Sequence, residues 1–505
     1  MPLLGWRVHF TRRLLQQPSE RRRLLAEIDT EDIGKWLDAQ SLTDGSPCLF
    51  APDGTYDLEL NRYFESSAVR FRSSHTAAAA AYDLADFLTF VWSHRPPIGG
   101  GSWKDVTSAD RAAYLYWRRK DPDGPRVAGS TWSRSVAMVN AFYVWAVEQG
   151  YVAENPILQR EVKSRPGRRG SKSAQTPAEA ARDARRPDTR WFPPETYRRW
   201  RDVGVRGYEA TGIPASSFKG RNASRNAAFC DLMIRTGLRL EEQASLTVFD
   251  LPDPDSATAM RPMRLPSSIA KGGSGRRIYI PSNVLRDLWD YVRFERADVV
   301  ARAGRRGLYD GVGDALIIEN RKYPTVLPAG GGSRAVSVEL LNPDERRHLF
   351  FRHAGGLEPA SLWLSPLGLP MKPAAWQGAF QDANERCERA GVKLACHPHM
   401  LRHSYAVITL ELLQREHIRE LSKSTAAQRQ SYARVFGDPL DWVRRRLGHR
   451  SVESTFIYLH TLQELEMETR MALVPADWEA SMSDSLQAIR ASEELDAELD
   501  EGGSQ

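Results

Sequence analysis

Four short stretches hold side chains that can grip a phosphate and move protons: TGLRLEEQASL at 236–246, AKGGSGRR at 270–277, HPHMLRHSYA at 397–406 and LGHRSVESTFIY at 447–458. They contribute Arg239, Lys271, Arg402, several histidines and Tyr458. Each alone has a plain reading. An arginine after a helix-ending glycine is usually a surface residue, a hairpin lysine is usually solvated, and a tyrosine on an apolar helix is usually core. Together they suit work on an anion. Guanidinium forks donate two hydrogen bonds at once and stay charged at any physiological pH. A tyrosine hydroxyl, with an ordinary pKa of about 10, attacks only if a neighbour takes its proton. Metal chemistry fits less well. His399 and His403 stand four apart, but Met400 occupies the place of the glutamate base in a zinc hydrolase's H-E-x-x-H, and Arg402 would set a cation beside the metal.

In combination and in order, the four stretches resemble the catalytic domain of the tyrosine recombinases, also called the phage integrase family. Arg239 in TGLR matches the family's first catalytic arginine, and Glu242 matches the acidic residue that follows it. Lys271 falls on the hairpin lysine, and His399 and Arg402 match the H-x-x-R pair, with His403 as the commonly repeated histidine after it. His449 in LGH matches the third-motif histidine, and Tyr458, nine residues on, the nucleophile. The resemblance implies a role for each. Arg239 and Arg402 clamp the scissile phosphate, His399 takes the tyrosine proton, and Lys271 protonates the departing sugar oxygen. His449 donates to a non-bridging oxygen, while Glu242 orients and neutralises nearby arginine charge. It further implies a 3′-phosphotyrosine intermediate, no cofactor, double-stranded DNA with a specific recombination site as partner, and a homotetramer on two DNA sites. Two rival readings are a type IB topoisomerase-like relaxing enzyme and a DNA-binding relative without catalysis. Tyr432 is a second tyrosine near the site motifs, but lacks the spacing from His449. It lies in LLQREHIRELSKSTAAQRQSYARVF, which lengthens the Arg402 to His449 interval beyond the family's usual span.

Elements must position these residues. Ser74-His75-Thr76 followed by AAAAAYDLADFLTFVW predicts a capped helix with Leu84, Phe87, Leu88 and Val91 on one face, ended by Pro96-Pro97. A second helix opens at Thr107 with Asp110 three residues on, and a third runs from Thr131 to Gln149 before Gly150. Trp132, Phe142, Tyr143 and Trp145 read as core. A helical stretch spans Asn222 to Arg235, and MRLPSSIAKGGSGRRIYIP reads as a hairpin carrying Lys271. Helices return from Ala374, whereas Gly304 to Pro373 shows no clear period.

The expected fold is therefore mostly α with a small β-hairpin in the catalytic domain, a helical core-binding domain standing before it. Residues 1–54 form an N-terminal segment of unknown role, 55–158 the core-binding domain, 159–190 a basic linker, 191–480 the catalytic domain and 481–505 an acidic tail. The stretch 160–190 holds ten basic and four acidic residues. Within it Arg165, Arg168, Arg169 and Lys172 are candidate phosphate-backbone contacts.

Net charge is +6 although the last 24 residues hold seven acidic side chains and one basic, so the rest is more strongly basic, as suits a polyanionic partner. The four cysteines form no CxxC pair, no phosphate-binding GxxxxGK[ST] loop is present, and no apolar run approaches the roughly 20 residues of a membrane span. The start of the chain lacks a secretory pattern. The expected location is cytoplasmic and nucleoid-associated, with no membrane partner.

Overall fold

Amphipathic helices with definite caps organise the first of two units seen in a computed structural model of the protein, Met1–Pro187 and Asp188–Gln505. The structure describes residues 5–11 and 45–471, apart from 96–100, 163–173, 184–188, 319–324, 329–335, 426–437 and breaks of one to three residues. The four candidate linker contacts, Tyr432 and the acidic tail lie outside the described residues.

In the first unit, helices α1 (Leu58–Glu65), α2 (Ser74–His94), α3 (Ser108–Arg119) and α4 (Gly129–Glu148) enclose an aromatic core. The four apolar positions expected on α2 are all buried, as are Trp132, Phe142, Tyr143 and Trp145 on α4. Thr107 caps α3, its hydroxyl accepting from the Asp110 amide while Asp110 accepts from the Thr107 amide at 2.7 Å, which satisfies two amides the helix cannot pair.

Two features of this unit were not foreseen. Strands β1 (Arg7–Phe10) and β2 (Pro47–Phe50) pair antiparallel and join the helical core through Leu49, whose amide donates to Asn61 Oδ1 at 2.7 Å. Within the expected linker, β3 (Gln159–Val162) pairs with β4 (Ala174–Pro177). The chain after β4 is pinned by Arg111, which is fully buried and pairs with Glu179 at 2.8 Å, and by Trp132 Nε1, which donates to the Glu179 carbonyl. Four-residue strands in Gly- and Ser-rich sequence offer too short a period to recognise.

In the second unit, α5 (Ala223–Thr236) and the one-turn α6 (Leu240–Ala244) precede the hairpin of β5 (Met260–Leu265) and β6 (Arg276–Pro281). Later in the chain come helices α7 (Pro373–Arg389), α8 (Pro398–Ser422), α9 (Pro439–Leu447) and α10 (Glu453–Met471). Phe229 on α5 stacks on Trp376 of α7, with Trp363 edge-on to both, so the centre of this unit is aromatic. The region without a clear period holds a five-stranded sheet of order β11-β10-β7-β8-β9: β7 (Leu316–Ile318), β8 (Thr325–Pro328), β9 (Val336–Ser337), β10 (Leu349–His353) and β11 (Gly356–Pro359). Its strands have two to five residues. Strand β10, LFFRH, lies between β11 and β7 and opens with a continuous apolar run instead of an alternation, which periodicity alone does not assign to a strand. Among the described residues no helix is long and apolar enough to cross a membrane.

Candidate active site

Two glycine-ended helices and one proline-started helix converge to place most of the expected side chains. Helix α5 ends at Gly237, whose φ of +65° is the left-handed turn that stops the helix. A Cβ there would lie 2.3 Å from a ring carbon of Tyr405, so glycine is required both by conformation and by close approach. Leu238 then anchors in the core and Arg239 caps α6. Helix α9 ends in the same way at Gly448, φ +65°, delivering His449. Helix α8 starts with Pro398 in its first turn, where the missing N–H costs nothing, and so carries His399, Arg402 and His403 on its first two turns.

Arg402 joins the two glycine ends. It is 3% exposed and donates to the Gly237 carbonyl and, at 2.6 Å, to the Leu447 carbonyl. Both are helix C-terminal carbonyls without an intrahelical partner, where a cation is favoured. Two of its five N–H groups serve these bonds. Burial, with the charge of Arg239 beside it, lowers its pKa to about 9.

Glu242 is the carboxylate of the cluster. It accepts from the Arg239 amide at 3.0 Å and from Arg239 Nη1 at 2.9 Å. It also accepts from Arg276 Nη2 at 2.6 Å and from the Lys271 amide at 3.4 Å. Burial opposes its charge, but the hydrogen bond and charge of Arg276, with Arg239, outweigh that and pull its pKa down to about 2. Lys271 sits in the exposed connection of the β5–β6 hairpin, next to Gly272 and Gly273, which both take positive φ.

Tyr458, on α10, is 2% exposed. Its hydroxyl lies 2.9 Å from His403 Nδ1, and the His449 ring stacks along its ring at 6.2 Å. His449 Nδ1 is held by the Thr455 hydroxyl at 3.0 Å. His399 lies one turn before His403 on the same face of α8, with its ring centre 6.1 Å from that of His403. His403 is thus the imidazole in contact with the tyrosine hydroxyl, while His399, expected to take its proton, stands one turn away. Burial and neighbouring positive charge lower the pKa of all three imidazoles, to about 4 for His403 and about 3 for His449. Burial raises that of Tyr458, against the pull of Arg402 and Arg239. These shifts favour neutral imidazoles and a protonated tyrosine beside the arginines near neutral pH.

The family model described as "Phage integrase, N-terminal SAM-like domain" matches residues 60–150, which lie in the helical first unit. Over those residues the chain is similar to the N-terminal domain of phage integrases. A tyrosine recombinase XerC of Rhodospirillum centenum is 30% identical over 218 residues, covering 42% of this chain and 53% of that one. An integrase/recombinase of Escherichia coli is 27% identical over 238 residues, covering 46% and 54%. The chain thus spans about half the length of these curated relatives. Among solved structures, the XerH site-specific recombinase bound to palindromic difH substrate aligns over 85% of this chain and 86% of that one, at 13% identity and a TM-score of 0.46. A lambda integrase dimer bound to a COC′ core site aligns over 79% and 94%, at 13% identity and a TM-score of 0.39.

In this site two side chains gain significance that motif reading did not give them. Arg276 begins β6 and reaches Glu242, while its Nε donates to the Arg446 carbonyl at 2.6 Å. Arg446 returns a bond to the Arg277 carbonyl at 2.7 Å, and Arg450 donates to the Gly272 carbonyl at 2.5 Å. Three arginines thus lace the Lys271 hairpin to the turn that carries His449. The doublet Arg276-Arg277 after a glycine turn was visible, but nothing in its spacing named Glu242 as a partner. His403 was visible beside Arg402, without a role.

Proposed function

We propose that the protein is a site-specific DNA recombinase that cleaves and rejoins strands through a 3′-phosphotyrosine on Tyr458. The observation that carries this reading is charge against geometry: Arg239, Arg276 and Arg402 cluster around a single buried carboxylate, Glu242, and a buried tyrosine hydroxyl is held at the same place. A scissile phosphodiester is an anion that this cluster of arginines suits. Arg239 and Arg402 hold its non-bridging oxygens, on which charge grows in the five-coordinate transition state. The Tyr458 oxygen attacks phosphorus, the bond to the 5′ oxygen breaks, and Lys271 protonates that oxygen. His449, oriented by Thr455, donates to a non-bridging oxygen. His399 lines the same face of α8.

The phosphotyrosine keeps the bond energy of the phosphodiester, so another 5′-hydroxyl reverses the step and no nucleotide or metal is called for. By its likeness to the recombinases the assembly we propose is four copies on two DNA sites, inside the cell. The linker arginines Arg165, Arg168 and Arg169, with Lys172, would contact the phosphate backbone. The test is covalent capture. A pool of nicked duplexes of randomised sequence is incubated with the protein and resolved under denaturing conditions. Adducts whose release requires protease, and whose digest carries DNA on the Tyr458 peptide, support the reading; their absence opposes it.

A further inference from the structure

We infer that His403, through Nδ1, is the group that takes the Tyr458 proton as the tyrosine attacks; the inference rests on the recombinase reading above. Among the three site histidines, His403 is the one in hydrogen-bond contact with the hydroxyl, at 2.9 Å, with its ring centre 5.6 Å from that of the tyrosine. His449 lies along the tyrosine ring instead, its Nδ1 engaged by Thr455. His399 stands a turn away from His403 and is exposed. Because a phenol donates its hydrogen, Nδ1 accepts, and the proton of the neutral imidazole sits on Nε2. Burial, with the charges of His399 and Arg402, keeps His403 neutral, the form that receives a proton.

Those same surroundings make His403 a weak base in the free protein, which leaves Tyr458 protonated and unreactive. A phosphodiester held by Arg239 and Arg402 offsets the positive charge that disfavours the imidazolium. The proton acceptor therefore strengthens when the substrate arrives. The step balances as follows: the Tyr458 O–H bond breaks with its proton passing to His403 Nδ1, the oxygen–phosphorus bond forms, the phosphorus–5′ oxygen bond breaks, and Lys271 supplies the proton to that oxygen. In rejoining, the 5′-hydroxyl returns its proton to Lys271, and His403 returns its own to Tyr458.

The experiment measures single-turnover adduct formation on a nicked duplex captured by the wild-type protein, at saturating DNA. His403→Ala and His403→Asn are each compared with wild type, with either tyrosine or 3,5-difluorotyrosine at position 458. The fluorinated phenol is the stronger acid and needs less help to ionise. Both variants are expected to lose roughly 10² to 10³ in rate, on the scale of general-base catalysis, with DNA affinity within a few fold of wild type. Difluorotyrosine is expected to recover most of that loss. Asparagine keeps an acceptor near the hydroxyl but takes no proton, so full activity in His403→Asn would reduce His403 to a positioning group and overturn the inference. A wild-type rate in His403→Ala, or an undiminished defect with difluorotyrosine, would overturn it too. Failure of wild type to form any adduct would instead sink the recombinase reading, and this inference with it.

Discussion

Arg276 and Glu242 meet as an enclosed ion pair: Nη2 lies 2.6 Å from Oε2, with the two side chains 5% and 1% exposed. Removing one member of a buried pair leaves the other charge without compensation, typically at a cost of about 3–5 kcal/mol. Arg276→Ala also deletes the bond to the Arg446 carbonyl, which ties the hairpin to the His449 turn. We expect a destabilisation on that scale in urea unfolding followed by tryptophan fluorescence. Arg276→Lys keeps the charge but loses the planar fork, and recovers only part of the loss. A change within a few tenths of a kcal/mol would mean the pair is not a structural tie.

Stability should fall with acid in two overlapping windows. His403 and His449 have folded pKa values near 4 and 3, below their ordinary 6.5, so between those limits the unfolded chain binds more protons than the native one. Their contribution is complete above about 6.5 and is lost as pH falls. Glu242 behaves likewise between its ordinary 4.5 and its folded value of about 2. Urea midpoints measured from pH 8 to pH 4 should decline below about 6.5, and His449→Gln should flatten that decline. An identical slope in the variant would show that His449 titrates normally in the folded protein.

Lys271, in the exposed hairpin connection, should matter for the leaving group and not for binding. Lys271→Ala is expected to cripple cleavage of an ordinary strand. It should cost far less on a 5′-phosphorothiolate, whose sulfur departs without a proton. Equal defects on both substrates would remove Lys271 from that role.

Gly237→Ala tests the link between backbone and site. The left-handed φ costs an L-residue about 1–2 kcal/mol, and the new methyl would press on the Tyr405 ring. Because Arg239 lies two residues on and Arg402 bonds the Gly237 carbonyl, both arginines should shift. We expect adduct formation to drop by an order of magnitude or more, alongside a lowered melting temperature. A variant that is destabilised but fully active would separate the turn from the chemistry.

Much of this site was legible because its determinants are local. The helix-ending glycines 237 and 448, the proline at the start of α8 and the glycine turn beside Lys271 each announce a backbone geometry, and the arginines, histidines and tyrosine stand at short fixed offsets from them. The pairing of Arg276 with Glu242 spans 34 residues in sequence and leaves no periodic trace. His399 and His403 share one helical face, so type and spacing alone did not decide which of them reaches Tyr458. The fold divides in the same way. Capped, amphipathic helices and the β5–β6 hairpin were readable, whereas β1–β2 pairs residues 37 to 43 apart, and the five-stranded sheet uses strands too short, or too uniformly apolar, to show an alternation.

The central claim is that Tyr458 becomes joined to DNA, and one comparison tests it most directly. Wild type and Tyr458→Phe are incubated with the captured nicked duplex, binding is measured by gel shift, and covalent complexes are resolved under denaturing conditions. The account predicts an adduct for wild type, none for Tyr458→Phe, and nearly equal DNA binding for the two. An adduct formed by the phenylalanine variant would contradict it.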